Sequence, residues 1–112
     1  MTLLLAIALT LLQDIEHTLV IGPGKFEEPC FKLDKDQRLE FEFSAAANLD
    51  FNVHYHDEQG VKFAVNLHAV RKEMGVYIAP SQRDYCLMWT NHSQADVQLQ
   101  YHYRIYQPKS SP

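Results

Sequence analysis

A chain of 112 residues is the length of one domain, large enough to bury a modest core. Hydrophobic residues make up 46% of it, with six Phe, six Tyr and one Trp, which excludes a disordered chain on composition. The formal net charge is -4 with no basic block, which sets nucleic acid aside as a partner, because phosphate binding needs clustered Lys and Arg.

Leu3 to Leu12 is an uncharged apolar run, about half the length that crosses a bilayer. It has the length of a signal-peptide h-region, so residues 1–12 read as an apolar leader and residues 13–112 as the single folded domain. No Lys or Arg precedes the run, and Ala6-Ile7-Ala8, the small-x-small triplet, falls inside it. The competing reading is a first strand or helix packed on the domain. Neither reading gives a stable membrane span.

His17–Ile21 reads as a short strand stopped by Gly22-Pro23-Gly24. Phe26 to Leu33 contains Pro29 and reads as an edge strand or an irregular entry. Asp34 to Gln37 is a turn. Leu39, Phe41 and Phe43 then alternate with Arg38, Glu40 and Glu42, the pattern of a half-buried strand. Ala45 to Asn48 reads as the next turn. Phe51, Val53 and Tyr55 alternate with Asn52, His54 and His56. Asp57-Glu58-Gln59-Gly60 fits a hairpin, with Val61, Phe63 and Val65 continuing the alternation on the return. Leu67 to Met74 has room for one turn of helix, and Gly75 to Pro80 is a short segment. Asp84 to Thr90 is apolar on both faces and reads as a central strand. Asn91 to Asp96 is a loop, and Val97, Leu99, Tyr101, Tyr103 and Ile105 mark the cleanest strand. Seven or eight short strands with frequent turns predict an all-β, antiparallel, jelly-roll-like sandwich.

Two cysteines, Cys30 and Cys86, behind a signal-like segment suggest one disulfide, with two unrelated buried thiols as the alternative. A bridge over a loop of this size would contribute about 4 kcal/mol in the chain-entropy picture. Neither cysteine lies in a C-x-x-C, which speaks against the pair as metal ligands. Cys86 in an apolar strand is also not an activated nucleophile.

Six histidines raise a metal hypothesis. His54 and His56, two apart on a strand, project from one polar face with Asp50 and Asn52. His102 lies on the polar side of the last strand, and Glu40 and Glu42 on that of another. Neighbouring strands would bring two or three His and a carboxylate around a divalent transition metal, as in a small cupin-like enzyme. The plainer reading is exposed histidines on the outer face of a sandwich. Asn91-His92-Ser93 is a sequon, making Asn91 a candidate glycosylation site as well as a turn residue. Ser93, His92 and Asp96 are neighbours in one loop, a poor arrangement for a triad. No G-x-S-x-G, P-loop or H-E-x-x-H occurs, so no catalytic residue is assigned.

Several segments in order carry a family resemblance: Glu28-Pro29-Cys30-Phe31, then Leu49-Asp50-Phe51-Asn52-Val53 leading to Asp57-Glu58-Gln59-Gly60. Gly75-Val76-Tyr77 follows, then Tyr85-Cys86-Leu87-Met88-Trp89-Thr90-Asn91 and a closing alternating strand. Over residues 18–107 this resembles the GOLD (Golgi dynamics) domain of early secretory-pathway cargo receptors and some lipid-transfer proteins. The resemblance implies a sandwich in which Cys30 and Cys86 are joined, placed in the secretory lumen, periplasm or outside the cell. The implied role is a non-catalytic module for a protein, a small ligand or a second copy of the chain, with no cofactor. The receptors continue into a coiled coil and a membrane anchor. The sequence here ends at Pro112 with neither, so a stand-alone domain is expected.

Overall fold

The structure is a computed structural model and describes residues 15–107. The apolar leader at 1–12 and the end of the C-terminal tail lie outside the described residues. All regular structure is β: β1 (His17–Ile21), β2 (Phe26–Glu27), β3 (Cys30–Leu33), β4 (Arg38–Asp57), β5 (Gly60–Ile78), β6 (Arg83–Thr90) and β7 (Val97–Tyr106). Every pairing is antiparallel. The strand path runs β1-β7-β4-β6-β2, with β3 also on β6 and β5 on β4.

The long β4–β5 hairpin belongs to both layers. Arg38 to Ala45 of β4 pairs with β7, whereas Asp50 to Tyr55 pairs with β6. β5 follows β4 through both halves. One layer is therefore β5-β4-β7-β1 and the other β5-β4-β6-β3/β2. Among the described residues the two path ends have no ladder between them, so the fold approaches a barrel without closing it.

Alternation places Leu39, Phe41, Phe43, Leu49, Phe51 and Val53 of β4 inside, all at most 6% exposed. Phe51 and Phe43 meet at 4.8 Å between ring centroids, Phe51 and Trp89 at 5.2 Å, and Trp89 and Tyr101 at 4.4 Å. These offset aromatic pairs bridge the two layers. Gly75, opposite Phe41 in the ladder, has its place for a packing reason. A Cβ built there would lie 2.7 Å from Phe41 Cζ.

The turns follow their residues. Asp36 takes φ 71° in the Asp34–Gln37 turn, which is closed by the Gln37 amide donating to the Asp34 carbonyl at 3.1 Å. Gly60 takes φ 114° at the hairpin, where Asp57 Oδ1 accepts from the Gln59 amide at 2.7 Å.

Two expectations fail in the same region. Ala45–Asn48 is not a turn and Leu67–Met74 holds no helix, because both lie inside β4 and β5. Irregularities in the register between Ser44 and Leu49 and again before Phe51 absorb the mismatch. Ala69 takes φ 56° there, and the Arg71 guanidinium donates to the Ala46 carbonyl at 2.8 Å. A helix in β5 would have left the facing β4 edge without its backbone partners. The reading of β6 as buried on both faces holds only at its middle: Tyr85, Leu87 and Trp89 face the core and Cys86 faces outward, all at most 5% exposed, whereas Asp84 is exposed and Met88 and Thr90 are half-buried.

Candidate functional site

Among the described residues, nine large apolar side chains are exposed, and five of them (Val61, Phe63, Met74, Val76 and Ile78) lie on β5. Val61 and Phe63 were expected on the buried alternation. A register shift between Val53 and His54 puts Phe63 opposite the outward His54 instead, turning it to the outer face. Met74, Val76 and Ile78 stand opposite Glu42, Glu40 and Arg38, on the outer face of the other layer. There Glu40, Glu42, Met74, Val76, His102 and Arg104 line a shallow groove. His102 Nε2 lies 3.0 Å from Glu42 Oε1.

The six histidines do not gather. His102 sits on the β5-β4-β7 layer, while His54 and His56 sit at the far end of β4 on the other layer. The expected cluster of His54, His56 and His102 is therefore not assembled, because β4 is long enough to belong to both sheets. The plainer reading also needs correction for His54, which is only 4% exposed. His54 Nδ1 lies 2.6 Å from Asn52 Oδ1 and Nε2 lies 2.9 Å from Glu28 Oε2. His56 packs edge-on to it at 5.5 Å.

The ladder partner of His54 is Cys86, whose disulfide with Cys30 joins directly opposed residues of β3 and β6 with their Cα atoms 4.1 Å apart. Donor atoms of Glu28, His54 and Cys86 lie within 4.8 Å of one another. With the sulfurs bonded to each other, only the imidazole and the carboxylate are left to offer a metal.

A second cluster was not singled out from sequence. Asp50 Oδ2 lies 3.2 Å from His68 Nδ1 and 3.1 Å from His92 Nε2, while Oδ1 accepts from the Ala69 amide at 3.0 Å. Partial burial pushes the Asp50 pKa up. The Ala69 hydrogen bond, then the His68 bond and the His92 and His68 charges, outweigh this and hold it below the ordinary carboxylate value. These residues come from β4, β5 and the β6–β7 loop, and nothing in their spacing announces the contact.

Asn91 is 0% exposed. Its Nδ2 donates toward the carbonyls of Ile21, Gly22 and Ala95 at 2.9, 3.2 and 2.8 Å. Its Oδ1 accepts from the Ser93 amide and hydroxyl at 2.9 and 2.7 Å. The glycosylation expectation is corrected accordingly: the nitrogen a glycan would occupy tethers the β6–β7 loop to the end of β1. Ser93 is engaged with Asn91 and His92 with Asp50, so the loop holds no triad.

At the open seam between β1 and β3, His17 stacks on Tyr101 at 4.7 Å and Phe31 on Tyr103 at 4.8 Å. The Tyr101 hydroxyl donates to Glu27 Oε2 at 2.9 Å. Burial, then that bond and the Glu27 charge, push the Tyr101 phenol well above its ordinary value. Among the described residues no helix is long and apolar enough to cross a membrane.

No protein-family model matches the chain and no curated protein matches it in sequence. Solved structures do match in fold. Aeromonas hydrophila PliG, a periplasmic inhibitor of g-type lysozyme, has TM-score 0.60 and 10% identity over 83% of this chain and 86% of that one. The Yersinia pseudotuberculosis-derived mitogen has TM-score 0.60 and 9% identity over 88% and 90%. The pre-peptidase C-terminal domain of a Bacillus anthracis collagenase has TM-score 0.60 and 14% identity over 82% and 88%. At such identities the likeness is one of fold.

Proposed function

We propose that this chain is a non-catalytic binding module of the extracytoplasmic type, and that it holds a protein partner along β5. The observation that carries the reading is the concentration of exposed apolar side chains on one strand whose ladder, among the described residues, runs to β4 alone. A 19-residue strand with one edge unpaired among the described residues is a template for strand addition. Phe63 on one outer face, and Met74 and Val76 on the other, offer apolar anchors. The charges beside Met74 and Val76 (Glu40, Glu42, His102 and Arg104) supply a polar rim. A disulfide fits an oxidising compartment. The similar fold of a periplasmic lysozyme inhibitor, itself a protein-binding protein, supports the same kind of role and compartment. The GOLD resemblance points the same way and rests on the short motifs alone.

Photo-cross-linking in the source cell tests this. A benzophenone amino acid replaces Phe63 or Val76, and, as a control, Lys35 in the Asp34–Gln37 turn. The expected result is a discrete cross-linked protein band from the two β5 positions and none from the control. A band joining two copies of this chain makes the chain its own partner, at the same strand. Equal labelling at all three positions, or none, overturns the assignment of β5.

A further inference from the structure

We propose that, with the disulfide open, Cys30, Cys86, His54 and Glu28 form a four-donor site for a divalent transition metal, zinc above all. Three strands set the donors in a row. Cys30 is the register partner of Cys86 across β3 and β6, and Cys86 is the register partner of His54 across β6 and β4. The ladder around them pairs Phe31 with Tyr85 and Val53 with Leu87, so backbone hydrogen bonds as well as the sulfur bridge align this row. Sequence spacing argued against a metal role because there is no C-x-x-C, but strand register supplies the proximity that such spacing would otherwise give.

The fourth donor and the orientation are also in place. Glu28 reaches over the row to His54 Nε2 at 2.9 Å, and the carboxylate, imidazole and Cys86 sulfur lie within 4.8 Å of one another. Asn52 Oδ1 engages the opposite ring nitrogen at 2.6 Å, leaving Nε2 to face the site. That is the outer support metal-bound histidines usually have. A cation would take the place of the proton between Nε2 and the carboxylate. Two thiolates, one imidazole and one carboxylate form a tetrahedral donor set suited to structural zinc, with His54 and Cys86 buried (4% and 5% exposed) and Cys30 and Glu28 on the solvent side.

The chemistry balances. A dithiol gives two electrons and two protons to the Cys30–Cys86 bond and leaves as its own disulfide, producing two thiols. Metal binding then releases both thiol protons, with any proton held in the His54–Glu28 contact, to solvent. The two states exclude each other, because the same sulfurs make either the bridge or the metal bonds.

Cobalt(II) is the probe. The whole chain is reduced under nitrogen with a trialkylphosphine, which takes oxygen from water, leaves as its oxide and competes weakly for metal. It is then titrated with cobalt and back-titrated with zinc. One cobalt per chain is expected, with thiolate charge-transfer bands and intense tetrahedral visible bands, all bleached by zinc. The oxidised chain should give no such bands. Affinity should fall about 10-fold to 100-fold in Glu28→Gln and in His54→Ala. If the reduced chain unfolds, cobalt should restore both the fold and the bands. A reduced chain without thiolate bands, or Glu28→Gln and His54→Ala variants that bind as the parent does, overturns the proposal.

Discussion

Replacing Asn91 by Asp changes one amide nitrogen to oxygen and almost nothing in shape, yet the structure makes it a severe substitution. Nδ2 faces three carbonyl oxygens, at 2.9, 3.2 and 2.8 Å, in a side chain with 0% exposure. The introduced carboxylate has no donor to offer them. Leaving a buried acceptor without its partner costs about 1 to 3 kcal/mol, and like-signed oxygens are then pressed together. Because the Gly22 and Ala95 carbonyls keep other donors at 3.0 Å, the Lys25 amide and the Ser93 hydroxyl, we take only the low end, about 1 kcal/mol for each of the three, and expect a loss of about 3 kcal/mol at neutral pH. For a domain of this size that lowers Tm by about 12 to 24 °C. The loss should depend on pH with a definite sign. Burial among carbonyls raises the folded pKa of the introduced carboxyl above its unfolded value. The neutral form, able to donate one hydrogen bond, is favoured below that unfolded value. The difference from the parent should therefore shrink at acid pH and grow as pH rises through the folded pKa. Urea melts of parent and variant at neutral and acid pH measure it. A variant within about 1 kcal/mol of the parent at neutral pH, or a pH-independent difference, would refute the tethering role given to Asn91.

Gly75→Ala should destabilise by about 1 to 2 kcal/mol, since overpacking a core costs roughly 1 to 3 kcal/mol and relief of glycine's entropy returns only about 0.5 to 1. Phe41 cannot swing clear of the added methyl, because its ring packs on Phe51 at 5.1 Å. Adding Phe41→Leu should lower the cost of Gly75→Ala in a double-mutant cycle; an additive cycle would show that the contact is not the cause. The phenol of Tyr77 is pushed up to about 12, first by burial and then by the Tyr85 and Tyr55 phenols with a Tyr85 hydrogen bond, against a smaller pull from Arg83. A raised folded value means that its contribution is full below the ordinary phenol pKa and fades as pH climbs to about 12. A tyrosinate absorbance titration assigned with Tyr77→Phe and Tyr101→Phe should find neither residue ionising at the ordinary value, and a step there that vanishes in either variant contradicts the burial argument.

The strands with clean alternation were legible because a two-residue period has one physical cause, a face buried and a face wet. Leu39, Phe41, Phe43, Phe51, Val53, Val97, Leu99 and Tyr101 all lie where that period puts them. The Asp34–Gln37 turn and the Asp57–Gly60 hairpin were legible from residues that tolerate positive φ. The middle of the long hairpin was not. Ala45 to Asn48 has turn composition, and only the pairing of β5 across it holds it extended. Phe63 misled for a related reason: one register shift reverses inside and outside, and a shift leaves no mark in a single strand's own pattern.

For the candidate sites the division is sharper. From the residues alone came an all-β chain, a plausible pair of cysteines, and histidines placed on outward faces. Which histidine meets which partner was decided by β4 crossing both layers. That crossing sends His102 to Glu42, His54 to Glu28 beside Cys86, and Asp50 to His68 and His92. Periodicity along a strand reports only the face on which a side chain lies. Neighbours across strands are fixed by register and strand order, which arise from the packing of the whole chain.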